Sequence, residues 1–588
     1  MGLSTDLKKP VSEKMFILDI SSTFTQGTWV AYEAGIWFYT LTPASPEVSD
    51  TGSVTPWFYT GMSDKTIVVL STRVDGIFYT ESSSLSNLRI TNESFYWDND
   101  MQTLYFHFDN NNPYYTFLNI TLGASTGYSN KAFYDDNDTY YSPLIELVPN
   151  ISMNKDPLFF GIFSYDGGGV TISNKEGQFD DTTLFGETIV GKFGFRDLLI
   201  SEWSTTFNMY AEDSSFNYDV AIFNIQDKRK SLSLRIPVNI FDIDTYPYIS
   251  EDMENEPIPI AWGTVRDVPV AVINHSEVAP SAWVIKLMDT TNHYMEGLQI
   301  PVVYVEGIAV TISNFSASAG TCEIAPGDYD PESGYIVTAD YIGNVTGGNV
   351  PIENSLNVIE DILVEYMSIP YTVDTYNTVE WAAEKLNTYD IGLAVFGNTQ
   401  INDVIELICA SNSGIFLIQN DGRYTFRTYD EDRVPTLTIP YDELLGKGAD
   451  IINVDYPSEE YLTDNVVKYN KGWNGNRYRS VRNISYKDEV FAEKGQYNSR
   501  TFETVLVNKA DAETIAENIM LRSKNIIPTF RVTVMQQAME IEVMQFVQLQ
   551  TDSPRRELFG EVIAEVVGFD KDPLTGEVQL TLKFVKYA

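Results

Sequence analysis

Along residues 1–155 the apolar positions come in short runs of aromatic and β-branched residues alternating with polar ones, the spacing of half-buried strands. Trp37-Phe38-Tyr39-Thr40, Trp57-Phe58-Tyr59-Thr60 and Ile77-Phe78-Tyr79-Thr80 echo one another at a period of 20 residues. A repeat architecture and chance likeness of aromatic strands both account for so short an echo. Further strands are predicted over residues 104–108 and 114–122. From 156 to 262 the alternation continues. Residues 159–165 lead into glycines 167–169, residues 170–180 read as a strand ending in a turn, and residues 191–195 and 218–226 read as strands. Residues 231–237 alternate until Pro237 ends them. Pro257 and Pro259 hold residues 257–265 extended, because each biases its predecessor toward β or polyproline geometry. Residues 263–350 are again strands, with loops rich in Gly, Ser and Asp.

Helical spacing enters after residue 350. Ser355 is placed to cap a helix over 356–367, with Leu356, Ile359, Leu363 and Met367 on one face. Residues 378–386 read as a second helix and 400–411 as a third, with Val404, Ile405, Ile408 and Cys409 as its inner stripe. Asn420-Asp421-Gly422 between two apolar runs, 414–419 and 423–429, is a strong hairpin signal. Beyond 456 one helix is predicted, over 509–523, with strands over 530–535, 541–550, 560–569 and 577–585 and a tight turn at 572–576. These patterns divide the chain into five expected domains: an aromatic-rich β domain at 1–155, a β domain at 156–262, a β insertion at 263–350, a small α/β domain at 351–455, and a β domain with one helix at 456–588. The expected fold class is mainly β with α+β parts, in several domains.

Composition narrows the function. The chain has 588 residues, with 39 basic and 82 acidic side chains and a net charge of −43. Phosphate recognition needs Lys and Arg, so a nucleic-acid or anionic-membrane binder is disfavoured. Disorder is excluded too, because 43% of the residues are hydrophobic and 13% aromatic. The acidity is uneven. Residues 1–155 carry 8 basic and 17 acidic side chains, and residues 456–588 carry 17 and 19, which leaves 14 and 46 for residues 156–455. A strong negative surface is therefore expected on the middle of the chain.

Candidate chemistry is sparse. The two cysteines, Cys322 and Cys409, are expected to be buried or idle thiols, with one long-range bridge as the alternative. With three scattered histidines, His107, His275 and His293, they leave little for Cys/His metal sites or Ser/His catalysis. No phosphate loop, zinc motif or nucleophile elbow occurs. No catalytic residue, metal site or cofactor is expected, and the chain is not expected to be an enzyme. The N-terminal residues have no apolar core of signal-peptide length, and no run of about 18 apolar residues occurs, so no membrane segment is expected. Asp98/Asp100, Asp135/Asp136/Asp138 and Asp328/Asp330/Glu332 cluster oxygens suited to calcium, but such residues also favour turns for backbone reasons. One segment runs against the charge. Lys468, Lys471, Arg477, Arg479 and Arg482 interleave with Tyr469, Trp473 and Tyr478, without an acid among them. A nucleic-acid strip is one reading. An arm that meets an acidic neighbouring subunit is the better one, because the rest of the molecule repels nucleic acid.

The order of these segments resembles the central hub of phage tail tips, shared by long-tailed phages, contractile-phage baseplates and gene transfer agents. Three stretches carry the resemblance. The first runs from Val170-Thr171-Ile172-Ser173-Asn174 through residues 191–195 to residues 223–228, followed by the proline-rich residues 257–270. The second is the helix and hairpin over 400–427, and the third is the pattern over 512–584. Together they span about 156–588. The resemblance implies two domains built like tail-tube subunits, at 156–262 and 456–588, and a homotrimer whose six such domains form a pseudo-hexameric ring. It implies a structural virion protein at the tail tip, made in the host cytoplasm. Its partners would be the tail tube or distal tail protein, the tape measure protein and the tip spike or fibre. DNA would pass the lumen without specific binding. An alternative is a receptor- or glycan-binding tail tip protein that presents Trp37, Trp57 or Tyr79 to sugars.

Overall fold

The computed structural model describes the backbone of the strands between residues 14 and 122. It also describes residues 127–587 apart from 135–139, 155–159, 164–167, 181–183, 196–198, 347–348, 446–451, 456–460, 476, 526 and 551–560. The fold is mainly β, built from several sheets, some of them barrel-like.

Two eight-stranded sheets dominate. The first runs in the order Gly127–Ser129, Leu118–Leu122, Lys14–Ile20, Thr188–Phe195, Ser204–Phe216, Val220–Gln226, Gly169–Ser173, Ile145–Leu147. The second is built on Leu437–Pro440, Phe546–Gln550, Val562–Lys571, Val578–Tyr587, Thr529–Val534 and Leu444–Leu445. Ile452–Asp455 adds to it along Thr529–Val534, and Ile151–Asn154 along Val562–Lys571. The chain thus steps from one sheet into the other between residues 147 and 151. Their inner faces bury Ile172, Ile189, Phe193, Phe207 and Phe223 from the first and Phe530, Val532, Leu549, Leu580 and Leu582 from the second in a single core. Alternation explains this geometry: Val220–Gln226 buries Ala221, Phe223 and Ile225 and leaves Asn224 outside.

A second core lies under the helices. Gly414–Ile418 pairs antiparallel with Tyr424–Thr428 and parallel with Gly161–Phe163, and the hairpin turn carries Gly422 at φ 85°. Ser355–Met367 buries Leu356, Ile359 and Leu363 as its spacing predicts. Its cap is Asn354, not Ser355: the Asn354 side chain accepts the Leu356 amide at 3.1 Å, while the Ser355 hydroxyl donates to the Tyr389 carbonyl. Ile401–Ser411 buries Val404, Ile405, Ile408 and Cys409 against the same hairpin.

Three expectations change. The alternating residues 231–237 do not form one strand: they begin in a 3-10 segment, Lys228–Ser233, and only Arg235–Ile236 is strand. The expected strand over 541–550 is shortened to Phe546–Gln550, because 541–545 turns and buries Ile541, Val543 and Met544 as a plug in the core. A second helix, Lys487–Lys494, appears in the last quarter. It buries Val490 and shows no apolar stripe, so spacing did not reveal it. The three aromatic echo segments lie in one seven-stranded sheet, but at its second, fifth and seventh places. That placement is not a regular repeat.

Candidate functional site

The α/β hairpin meets the second barrel-like sheet through buried charges. Arg427, fully buried on Tyr424–Thr428, donates from Nε to Glu380 at 2.6 Å, from Nη2 to Glu542 at 2.7 Å, and from Nη1 to the Val543 carbonyl at 2.8 Å. Glu380 comes from the helix Thr378–Lys385, and Glu542 from the turn before Phe546–Gln550. Gln419 and Asn420 of the hairpin turn also donate to Glu542, at 3.1 and 2.9 Å. Burial pushes the Glu380 carboxyl up, but the Arg427 guanidinium outweighs it and holds the pKa below the ordinary value. Burial likewise lowers Arg427, and Glu380 and Glu542 more than reverse this, so it is held charged.

Lys571 is the opposite case. It sits at the seam where Ile151 pairs with Val562–Lys571, is fully buried, and its Nζ has no hydrogen-bond partner among the described residues. Burial pushes its amine down to about 7, against partial opposition from Glu542 and Glu540. The unfolded chain therefore binds the extra proton between pH 7 and 10.5, and the folded state loses stability as pH falls through that window. We expect Lys571→Met to raise stability by about 1–4 kcal/mol near pH 6 and by little at pH 10.5. Urea unfolding at the two pH values checks this, and an equal effect at both would refute it.

Beside this junction lies a cleft of about 530 Å³ between the helix Lys509–Ser523 and the loops 386–389, 412–413 and 428–432. Phe160, Tyr389, Ile515 and Ile519 form its apolar wall. Asp430, Glu431 and Asp432 are exposed along one side, and Asp432 pairs with Lys586 at 2.6 Å. Two buried lining residues lack partners for part of their polar surface. Arg522 is 4% exposed and gives Nη2 to Glu565, under the Tyr429 ring at 4.2 Å, yet Nε and Nη1 have no acceptor among the described residues. Ser413 is 6% exposed, adopts φ 48°, and its hydroxyl also has no hydrogen-bond partner among the described residues.

The basic segment forms the last two strands of a seven-stranded sheet, Asp464–Gly472 and Arg477–Asn483, with Ser499–Glu503 paired parallel to the first of them. Two of its cations are satisfied within the chain: Lys468 pairs with Glu503 at 2.8 Å and Arg482 with Asp464 at 2.9 Å. Lys471 lies 4.0 Å over the Trp473 ring. Arg477 and Arg479 stay exposed.

Among the calcium candidates, Asp328, Asp330 and Glu332 form turns, in which Asp330 accepts the Glu332 amide at 3.1 Å. No group of three metal-binding side chains occurs among the described residues. Asp100 and Asp135/Asp136/Asp138 lie outside the described residues, as do the side chains of Asp98, His107, Trp37, Trp57 and Tyr79. Cys322 and Cys409 are buried free thiols, and burial raises the Cys322 thiol to about 12. The other two histidines bond tyrosines: His275 to Tyr329 at 2.8 Å and His293 to Tyr366 at 2.9 Å. Sequence reading passed over Arg427, Glu380, Glu542 and Arg522. The one available signal was a charge inside an otherwise core-type segment, as in Tyr424-Thr425-Phe426-Arg427-Thr428.

No family model matches the chain, and no curated protein does. Among solved structures it is similar to the tail protein from Neisseria meningitidis MC58, at 8% identity over 74% of this chain and 92% of that one, with a TM-score of 0.37. It is similar to the 43 kDa tail protein of prophage MuSo2 from Shewanella oneidensis, at 9% identity over 79% and 97%, with a TM-score of 0.34. A chain of the virion of the native gene transfer agent particle is similar at 11% identity over 57% and 85%, with a TM-score of 0.34. At this degree of similarity the functional reading rests on the chain's own geometry.

Proposed function

We propose that this chain is a structural virion protein of a tail tip or baseplate: a hub that joins the tail tube to a spike or fibre. The observation that carries this reading is the pair of eight-stranded, barrel-like sheets packed on one core within one chain. Two like units per chain let three chains present six units to a six-fold tube while keeping three-fold symmetry for a tip. Tail tube or distal tail protein would stack on the ring, and tape measure and tip proteins would meet its lumen and lower face.

The charge supports a role for the ring's inner surface. Exposed acids such as Glu251, Asp252, Glu254 and Glu256 belong to the strongly negative middle of the chain. Facing a channel, they would repel phosphates and let DNA pass without sticking. Light scattering and electron cryomicroscopy of the chain with tube protein test both statements. A three-fold ring with an acidic lumen is expected. A monomer in the presence of tube protein would overturn the hub reading, and a neutral or basic lumen would overturn the channel role alone.

A further inference from the structure

We propose that the cleft beside the helix Lys509–Ser523 takes the edge strand Arg477–Asn483 of a second copy of this chain. The inference rests on the ring reading above and names the contact that closes it.

Three observations lead to it. The cleft combines exposed acids, Asp430 and Glu431, with buried donors on Arg522 and Ser413 that have no acceptor among the described residues. A buried donor left without an acceptor is costly, so these groups point to an occupant that brings acceptors. An extended strand with a free edge supplies backbone carbonyls for those donors, and basic side chains on it suit the acids. The strand Arg477–Asn483 has both properties. It ends its sheet, so one edge carries no ladder among the described residues. Its Arg477 and Arg479 are exposed and have no ion pair there, whereas Lys468 and Arg482 already have acids of their own.

The arm cannot reach its own chain's cleft without leaving its place. Asn465 and Asn483 bind it to Ala516 and Glu517 at 2.8 and 2.6 Å. The cleft uses the other side of the same helix, at Ile515, Asn518, Ile519 and Arg522. The strand and the cleft therefore lie on different sides of this helix. Such an arrangement pairs copies head to tail, the type of contact that generates rings.

The test is a charge swap in the full chain, read by sedimentation velocity. Asp430→Lys with Glu431→Lys, and separately Arg477→Glu with Arg479→Glu, are each expected to weaken self-association about tenfold or more. All four substitutions together are expected to restore it. Circular dichroism confirms that each variant is folded. If every variant assembles as the parent does, the cleft contact is wrong and the ring reading stands. If the four-fold variant stays as weak as either pair, the two surfaces do not meet. A parent chain that is monomeric at every concentration, with and without tube protein, overturns both readings.

Discussion

Arg427→Met is expected to destabilise the chain by about 3–5 kcal/mol, the cost of leaving a buried charge without its partner. The substitution keeps much of the side-chain volume, so cavity formation contributes little. What it removes is the cation shared by Glu380 and Glu542. Glu380 would retain donors from Thr425 and Gln419, at 2.9 and 3.3 Å, but no charge facing it at short range other than Arg433 at 3.9 Å. Glu542 would keep Gln419 and the Asn420 amide. Neutral donors do not replace a guanidinium for two carboxylates in a low-dielectric junction. Replacing all three charges together, Arg427→Met with Glu380→Leu and Glu542→Leu, is expected to recover most of the loss, since a buried network is retained at little net gain over apolar packing. Urea denaturation of the three proteins decides the matter. A single variant as stable as the parent would mean that the acids simply become protonated or solvated. The expected site of first failure is the seam between the helical unit and the second barrel-like sheet, which limited proteolysis would locate.

Gly263→Ala is expected to cost about 3 kcal/mol or more, from left-handed strain of about 1–2 kcal/mol and overpacking of about 1–3 kcal/mol. Gly263 joins Ile260–Trp262 to Thr264–Pro269 at φ 62°. A Cβ there would stand 2.0 Å from the Ile391 carbonyl oxygen and 3.1 Å from the Glu353 Cβ. The neighbouring backbone is pinned: Ile260–Trp262 pairs with Leu393–Val395, and the Gly263 carbonyl accepts the Gly343 amide at 2.9 Å. Neither side can give way. Gly307→Ala is the control, because Gly307 has φ 75° but open space around it. It is expected to cost about 1 kcal/mol, from the left-handed backbone alone. Equal losses at the two positions would show that the crossing relaxes and that the clash is not the cause.

Local periodicity carried a good part of the fold. The helices Ser355–Met367, Thr378–Lys385 and Ile401–Ser411 and the hairpin around Asp421-Gly422 were legible because each signal lies within one short continuous segment. The helix Lys487–Lys494 was not, because among its described side chains only Val490 is buried and its polar turns carry no stripe. The arm was readable as basic, but not the fact that Lys468 and Arg482 are neutralised by Glu503 and Asp464. The cleft was not readable at all. Its walls come from residues 160, 386–389, 412–413, 428–432 and 515–522.

By itself, the sequence determined a mainly β chain of several units, its helices and hairpin, and the concentration of acidity in its middle. Those properties depend on neighbours a few residues apart or on composition. Tertiary structure alone decided that Ile151–Asn154 would join the sheet of Val562–Lys571, that Arg427 would reach Glu542 across 115 positions, and that Lys571 would be buried with no hydrogen-bond partner among the described residues. Contacts so distant along the chain leave no local period, because any of 82 acids is an equally good partner for a cation until packing selects one.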